Sequence, residues 1–221
     1  MRPRLILAGA IACVALAVPA ALAAAPPDDG NNLLLGSNRP DLISGLGGND
    51  TILGFAGADI LRGDAGADLI VGARGGDTIL GGPDDDVVEG GWGPDAVLGQ
   101  GGNDVIFGGP QRDVVTGGSG DDRILGGWGN DTLYAGFGAD VLFAGPGRDV
   151  LFARAPDGQV DTLHCGRGRD VAYVRSEDVA DRSCERVIVA KAQETDPGDE
   201  DQPPAAAAPA GGDQGVGDDG D

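Results

Sequence analysis

Aspartate recurs at every ninth position through the middle of the sequence, without a gap between Asp41 and Asp149. The series consists of Asp41, Asp50, Asp59, Asp68, Asp77, Asp86, Asp95, Asp104, Asp113, Asp122, Asp131, Asp140 and Asp149. Carboxylate and carbonyl oxygens are the ligands that Ca²⁺ prefers, at a coordination number of about six to eight. The spacing therefore predicts a cation site that is repeated along the chain.

Residues 36–152 divide into thirteen consecutive nine-residue units in which the aspartate is the sixth residue. Positions are numbered within this unit. Position one is glycine in the first eleven units and alanine in the last two, while position four is glycine in ten units. We expect these glycines to take positive φ, so that six residues fold into a tight turn whose carbonyl oxygens converge near the aspartate. The predicted backbone ligands lie in the turns at Gly48, Gly57, Gly66, Gly75, Gly91, Gly93, Gly102, Gly118, Gly120, Gly127, Gly129, Gly138 and Gly147.

The last three residues of each unit form the element that must position the turn. Position eight is aliphatic in all thirteen units, from Ile43 to Leu151, and variable residues flank it. A very short strand with its middle side chain pointing inward accounts for this pattern. Disorder is the alternative for an acidic, glycine-rich chain, but a disordered tract has no reason to keep thirteen aliphatic residues in phase. We expect the disordered state only without calcium, because the thirteen carboxylates repel one another.

The units resemble the RTX nonapeptide GGxGxDxUx of haemolysin-type calcium-binding repeats, as in GGWGNDTLY at residues 126–134. The resemblance implies an all-β fold, a right-handed parallel β-roll in which two units make one coil of 18 residues and build two facing sheets. It also implies Ca²⁺ ions between successive turns, held by the position-six aspartates and by turn carbonyls. Seven turns on one edge and six on the other leave six and five gaps, so eleven sites is the ceiling.

Three units depart from the family pattern within the turn. Unit 36–44 contains Arg39-Pro40, unit 81–89 has Asp84 at position four, and unit 108–116 has Gln111 there. These turns are expected to bind weakly or to stay empty.

Residues 1–25 have the pattern of a secretory signal peptide. Arg2 and Arg4 precede an apolar run from Leu5 to Val18 and a small-residue cleavage site at Ala21-Leu22-Ala23, with residues 23–25 as a nearby alternative. An uncleaved anchor is the alternative, but the run is shorter than the roughly 20 residues that a membrane span needs. We therefore predict a mature chain without a membrane span, with residues 26–35 as a lead-in to the roll.

Secretion predicts that Cys165 and Cys184 form a disulfide, with free thiols or a metal pair as the alternatives. Both cysteines lie in residues 153–190, where the nine-residue period breaks and further strands or coils are expected to form a disulfide-stapled C-terminal cap. Within it, Asp161 and residues 166–170 look like degenerate continuations of the repeat. Residues 191–221 are acidic and rich in Pro, Ala and Gly, which predicts a disordered tail.

Composition excludes some functions and leaves others open. The formal net charge of -21 excludes a binder of nucleic-acid phosphates and favours cations as partners. Outward strand positions carry apolar residues such as Leu69, Phe107 and Leu98, which indicates contact with a cell-surface or matrix polymer or another protein. Cover by the following segment is the alternative for this surface.

The expected protein is a secreted, extracellular calcium-binding repeat protein with a structural, matrix or adhesion role. We expect no enzymatic activity, because about ten residues separate the predicted cleavage site from the roll and the sequence contains neither HExxH nor GxSxG. The alternatives are a non-catalytic accessory module of an extracellular hydrolase system and an ice- or carbohydrate-binding roll. The scattered positions of Thr51, Thr78, Thr116 and Thr132 do not favour the ice-binding alternative.

Overall fold

A computed structural model describes residues 29–190, which wind into a parallel β-solenoid of eighteen short strands. This confirms the predicted all-β roll. The predicted signal peptide at 1–25 and the predicted tail at 191–221 lie outside the described residues. Within residues 29–190 no helix is long and apolar enough to cross a membrane.

The strands follow one another at nearly regular intervals along the chain. Their bounds are β1 Leu33–Leu35, β2 Leu42–Ser44, β3 Thr51–Leu53, β4 Ile60–Arg62, β5 Leu69–Arg74, β6 Thr78–Gly82, β7 Val87–Trp92, β8 Ala96–Gly101, β9 Val105–Pro110, β10 Val114–Ser119, β11 Arg123–Trp128, β12 Thr132–Phe137, β13 Val141–Gly147, β14 Val150–Ala153, β15 Thr162–Gly168, β16 Val171–Val174, β17 Val179–Ala180 and β18 Arg186–Val189.

Alternate strands belong to two parallel sheets of nine strands each. We call the sheet of odd-numbered strands sheet I and the sheet of even-numbered strands sheet II. Paired residues within the repeats lie 18 positions apart, as in Thr51 opposite Leu69 and Thr78 opposite Ala96. One coil therefore contains two nine-residue units, one strand from each sheet, and two turns, as predicted.

The core is a single column of aliphatic side chains between the two sheets. Twelve of the thirteen position-eight residues are fully buried, from Ile52 to Leu151, and Leu163 and Ala172 extend the column. Ile43 is only partly buried because few coils cover it at the N-terminal end. Each buried Val, Leu or Ile contributes roughly 1.5–3 kcal/mol by leaving water. This inward placement confirms the short-strand interpretation of position eight.

Residues 153–190 add strands β15 to β18 to the same two sheets. The coils here have other lengths, since Val150 pairs with Val171 and Val171 pairs with Arg186. Cys165 and Cys184 form the predicted disulfide across this end, with their Cα atoms 5.0 Å apart.

Stacked rings brace the outer faces of the last coils. On sheet II, Tyr134, Phe152 and Tyr173 stack in sequence with centroids 4.8 and 4.9 Å apart. On sheet I, His164 stacks on Phe143 at 4.6 Å, and its Nδ1 lies 2.7 Å from Oδ2 of Asp181. The only histidine of the chain thus packs at the C-terminal end of the roll.

Candidate metal centre

The turns gather the predicted aspartates into two rows, one along each edge of the roll. The first row lies in the turns that lead from sheet I to sheet II, and the second row lies in the turns that lead back. The first row contains Asp41, Asp59, Asp77, Asp95, Asp113, Asp131 and Asp149, and the second contains Asp50, Asp68, Asp86, Asp104, Asp122 and Asp140. All of them except Asp41 are buried.

One carboxylate oxygen of each row aspartate except Asp41 is held by the preceding coil. The backbone N–H of Asp50 donates to Oδ1 of Asp68 at 2.7 Å, and that of Asp59 donates to Oδ1 of Asp77 at 2.9 Å. The same bond recurs along both rows, between residues that lie one coil apart. Each carboxylate is therefore fixed in orientation by main-chain groups.

The other carboxylate oxygen is buried and has no hydrogen-bond partner within residues 29–190. This applies to Oδ2 of Asp50, Asp59, Asp68, Asp77, Asp86, Asp95, Asp104, Asp113, Asp122, Asp131, Asp140 and Asp149. A buried, unpaired carboxylate oxygen is costly, and a bound cation removes that cost. The rows therefore fit the cation that the sequence predicts.

Backbone carbonyls are the other oxygens available in the turns. Within residues 29–190, no three His, Cys, Asp or Glu side chains form a metal-binding cluster, so carboxylates alone build no cage. A Cβ placed on Gly75 would lie 1.4 Å from the carbonyl oxygen of Gly57, and one on Gly118 would lie 2.1 Å from that of Gln100. Carbonyls of the turns thus point at the next coil. An all-oxygen set of this kind suits Ca²⁺.

The glycines at position one have a different role from the one predicted. Gly45 and its equivalents do not take positive φ, which occurs instead at positions two and four, for example at Leu46 (75°) and Gly48 (92°). A Cβ on Gly45 would lie 2.2 Å from Oδ2 of Asp50 and 2.4 Å from the carbonyl oxygen of Gly63. The expectation of positive φ at position one was wrong. In the first eleven units glycine keeps the space beside Oδ2 open, whereas Ala135 and Ala144 occupy position one in the last two.

The predicted glycines at positions two and four mostly take positive φ. This holds for Gly48, Gly57, Gly66, Gly75, Gly91, Gly93, Gly102, Gly118, Gly120, Gly127 and Gly138. Gly129 and Gly147 lie outside that region, but a Cβ on either would come within 2 Å of a carbonyl oxygen one coil earlier. All thirteen lie in the turns, beside the two aspartate rows.

The three unusual units keep parts of the turn geometry. Oδ2 of Asp41 accepts hydrogen bonds from the backbone N–H of Ser37 at 2.6 Å and from its hydroxyl at 2.9 Å. Gln111 takes positive φ (90°) as a glycine would. Oδ2 of Asp84 accepts the backbone N–H of Gly66 at 2.9 Å. Of the three position-six aspartates in these units, Asp41, Asp86 and Asp113, Asp41 is thus the one whose Oδ2 is already paired.

Burial raises the pKa of the eleven row aspartates from Asp59 to Asp149. The pKa rises to about 8 for Asp122 and to about 7 for Asp86 and Asp113, chiefly because burial disfavours the charged form. The carboxylates in the neighbouring coils add to the rise, and the backbone hydrogen bond opposes it. A cation in the rows therefore has to compete with protons for these carboxylates near neutral pH.

Both rows continue beyond the thirteen units. Oδ1 of Asp161 accepts the N–H of Asp140 at 2.9 Å, and Oδ1 of Asp170 accepts that of Asp149 at the same distance. Asp178 and Glu185 continue the rows for one further coil. Nine-residue spacing misses these residues because the coils change length, although the sequence did indicate degenerate repeats at Asp161 and Asp170.

Comparison with known protein families agrees with this geometry. A family model for the RTX calcium-binding nonapeptide repeat matches residues 28–61, 35–70, 62–97, 98–133 and 125–155. Together these matches cover residues 28–155, which is more than half of the 221-residue chain. A search of curated proteins finds no match.

Proposed function

Because the chain belongs to the RTX calcium-binding nonapeptide repeat family, we propose that it is a secreted, non-catalytic protein that folds on binding Ca²⁺ outside the cell. We propose a structural, matrix or adhesion role for the folded roll. The observation that carries the proposal is the double row of buried aspartates, each with an Oδ2 that has no partner within residues 29–190.

The aspartates and the turn carbonyls are the proposed ligands. The N–H of the preceding coil holds Oδ1, which leaves Oδ2 aimed into the space that position-one glycine keeps open. Bound Ca²⁺ would supply positive charge between neighbouring turns, in at most eleven gaps of the repeats. Because each gap lies between two coils, binding joins residues 18 positions apart and couples each coil to the next.

Folding outside the cell follows from the balance of charge and entropy. Each nine-residue unit buries one aliphatic side chain at position eight, and this cannot offset the conformational entropy of nine ordered residues, at roughly 1–2 kcal/mol per residue. Metal binding has to contribute the rest of the folding free energy. Extracellular calcium sites commonly have dissociation constants on the order of 10⁻⁴ to 10⁻³ M, which would leave the chain unfolded inside a cell.

Support for secretion comes from two features. The first 25 residues have the signal-peptide pattern. The Cys165–Cys184 disulfide indicates an oxidising compartment.

Circular dichroism and calorimetry on the chain from residue 26 onward test the proposal. We expect little β-structure in metal-free buffer, and a cooperative gain of β-structure together with saturable heat of binding as Ca²⁺ reaches millimolar concentration. Mg²⁺ at the same concentration is the control, because it demands a more rigid octahedral site and dehydrates reluctantly. An unchanged spectrum with Ca²⁺, or equal folding with Mg²⁺, would contradict the proposal.

A further inference from the structure

The two edges of the roll carry opposite charge on their exterior. Within the thirteen units, the turns from sheet I to sheet II contain no acidic residue other than the position-six aspartates, whereas the turns back contain no basic residue. The exterior of the second edge carries Asp64, Asp84, Asp85 and Asp121. The first edge, which we call the arginine edge, carries Arg39, Arg74, Arg112 and Arg148, and the next coil adds Arg167 and Arg169.

Both tryptophans of the chain lie on the arginine edge. Trp92 and Trp128 are 64% and 73% exposed, which is unusual for the largest apolar side chain. Register places Trp92 beside Arg74, and Trp128 beside Pro110. The two rings lie two coils apart, or roughly 10 Å along the roll.

A groove of about 600 Å³ runs beside the second tryptophan. Trp128 lines it together with Pro110, Arg112, Asn130 and Pro146. The groove therefore combines an aromatic ring, a guanidinium group and an amide on turns that the neighbouring coils hold in register. Such a surface has apolar area, a positive charge and hydrogen-bonding groups at fixed positions.

We propose that the arginine edge binds an acidic polysaccharide. Sugar rings have apolar faces that fit an exposed indole, and Arg112 and Arg148 would pair with sugar carboxylates through two parallel N–H bonds. The coil repeat presents these groups in line, which matches a polymer of repeating sugars better than a compact ligand. Charge complementarity selects the acidic polymer, because the opposite edge carries the acidic residues.

The inference rests on the proposed function in one respect, since calcium changes the net charge. The formal charge of -21, which becomes -23 without Arg2 and Arg4 of the predicted signal peptide, repels a polyanion, but at most eleven bound Ca²⁺ ions would add up to 22 positive charges. Binding of the polysaccharide should therefore require calcium.

A second copy of the chain is the competing occupant, through pairing of opposite edges. At position three the second edge presents Gly47, Ala65, Pro83, Gly101, Ser119 and Phe137, and four of these six residues offer an indole little side-chain surface. The structure thus favours the polysaccharide, and self-association is measured as an outcome of the test.

Tryptophan fluorescence tests the proposal directly, because both tryptophans report from this edge. The calcium-loaded chain is titrated with a hyaluronan oligosaccharide, which carries carboxylates on alternate sugars, and with a neutral malto-oligosaccharide of equal length. We expect a saturable change in fluorescence with hyaluronan only, and we expect the binding to weaken as salt is added. Trp128→Ala, and separately the pair Arg112→Gln and Arg148→Gln, should weaken binding about tenfold. Phe137→Ala is the matched control, because Phe137 is 45% exposed at position three of the second edge, and it should bind as the unchanged protein does.

Several results would overturn the proposal. If calcium uptake and circular dichroism are normal but hyaluronan does not bind, the polysaccharide inference fails while the calcium function stands. A failure of calcium uptake is seen before any sugar is added. Equal binding of polyglutamate or anionic vesicles would mean a general anion patch. Concentration-dependent sedimentation that Trp128→Ala abolishes would mean that a second copy occupies the edge.

Discussion

The backbone N–H of Asp104 donates a 2.8 Å hydrogen bond to Oδ1 of Asp122, the matching residue one coil later. The carbonyl of Asp104 accepts the N–H of Arg123, also at 2.8 Å, so the next coil uses both main-chain groups of Asp104. Oδ2 of Asp122 is left buried without a partner within residues 29–190. In the roll, the neighbouring coil thus orients each carboxylate and leaves one of its oxygens available for a cation.

Replacing Asp122 by asparagine should distinguish the roles of the two carboxylate oxygens. The amide oxygen can still accept the N–H of Asp104, whereas the amide nitrogen would place a donor where an acceptor is needed. We expect the calcium-loaded protein to lose about 2 kcal/mol of stability, because a charged acceptor is lost from a buried site. Calcium titrations followed by circular dichroism should show a higher midpoint and a less cooperative transition.

Asp121→Asn is the matched control for this variant. Asp121 is exposed and its Oδ1 accepts the N–H of Ala139, a bond that asparagine preserves. The formal charge changes equally in both variants, so a purely electrostatic effect would shift both titrations alike. That result would contradict the ligand role of Asp122.

Adding one methyl group at position one should obstruct the predicted site. A Cβ on Gly99 would lie 2.1 Å from Oδ2 of Asp104 and 2.6 Å from the carbonyl oxygen of Gly117. Gly99→Ala should therefore cost roughly 1–3 kcal/mol, typical of overpacking, and weaken calcium binding measured by calorimetry. Gly101→Ala, two residues on, is the control: its nearest neighbour would be the Ser119 hydroxyl at 3.3 Å. Similar losses in both variants would refute the steric role.

The repeat spacing was enough to predict most of the fold, but it did not predict the role of the glycine at position one. An aspartate and an aliphatic residue in every unit predict the coil length and the inward column, since both depend on contacts that recur with the sequence period. The role of position one was missed because Gly45 is constrained by Asp50 together with Gly63, and Gly63 belongs to the next coil. The conformational preference of glycine by itself carries no information about a contact with the next coil.

The end of the roll was harder to predict for a related reason. Asp170 and Glu185 continue the first row, but they follow Asp149 at intervals of 21 and 15 residues. Backbone hydrogen bonds preserve the row while the turns change length, and a fixed sequence period cannot follow such changes.

The disulfide should stabilise the last coils without being needed by the repeats. Closing the loop between Cys165 and Cys184, a separation of 19 residues, is worth roughly 3 kcal/mol by restriction of the unfolded chain. In Cys165→Ala/Cys184→Ala, we expect faster amide hydrogen exchange in β15 to β18 and unchanged protection in β5 to β10 at saturating calcium. Uniform loss of protection through all coils would instead mean that the end of the roll nucleates the whole fold.

The aspartate rows should give the metal-free and calcium-loaded proteins opposite pH dependence. Burial raises the pKa of Asp122 to about 8 and that of Asp149 to about 7, so the folded metal-free roll binds protons more tightly than the unfolded chain. Its extra stability is complete below the unfolded pKa of about 4 and is lost as the pH rises through about 7 to 8. Calcium requires the deprotonated carboxylates, so its stabilisation grows over the same interval. Between about pH 5 and pH 8, the residual β-structure of resin-treated, metal-free protein, measured by circular dichroism, should fall with pH, and the thermal midpoint in excess calcium should rise with pH. Parallel trends would show that the rows do not bind the ion.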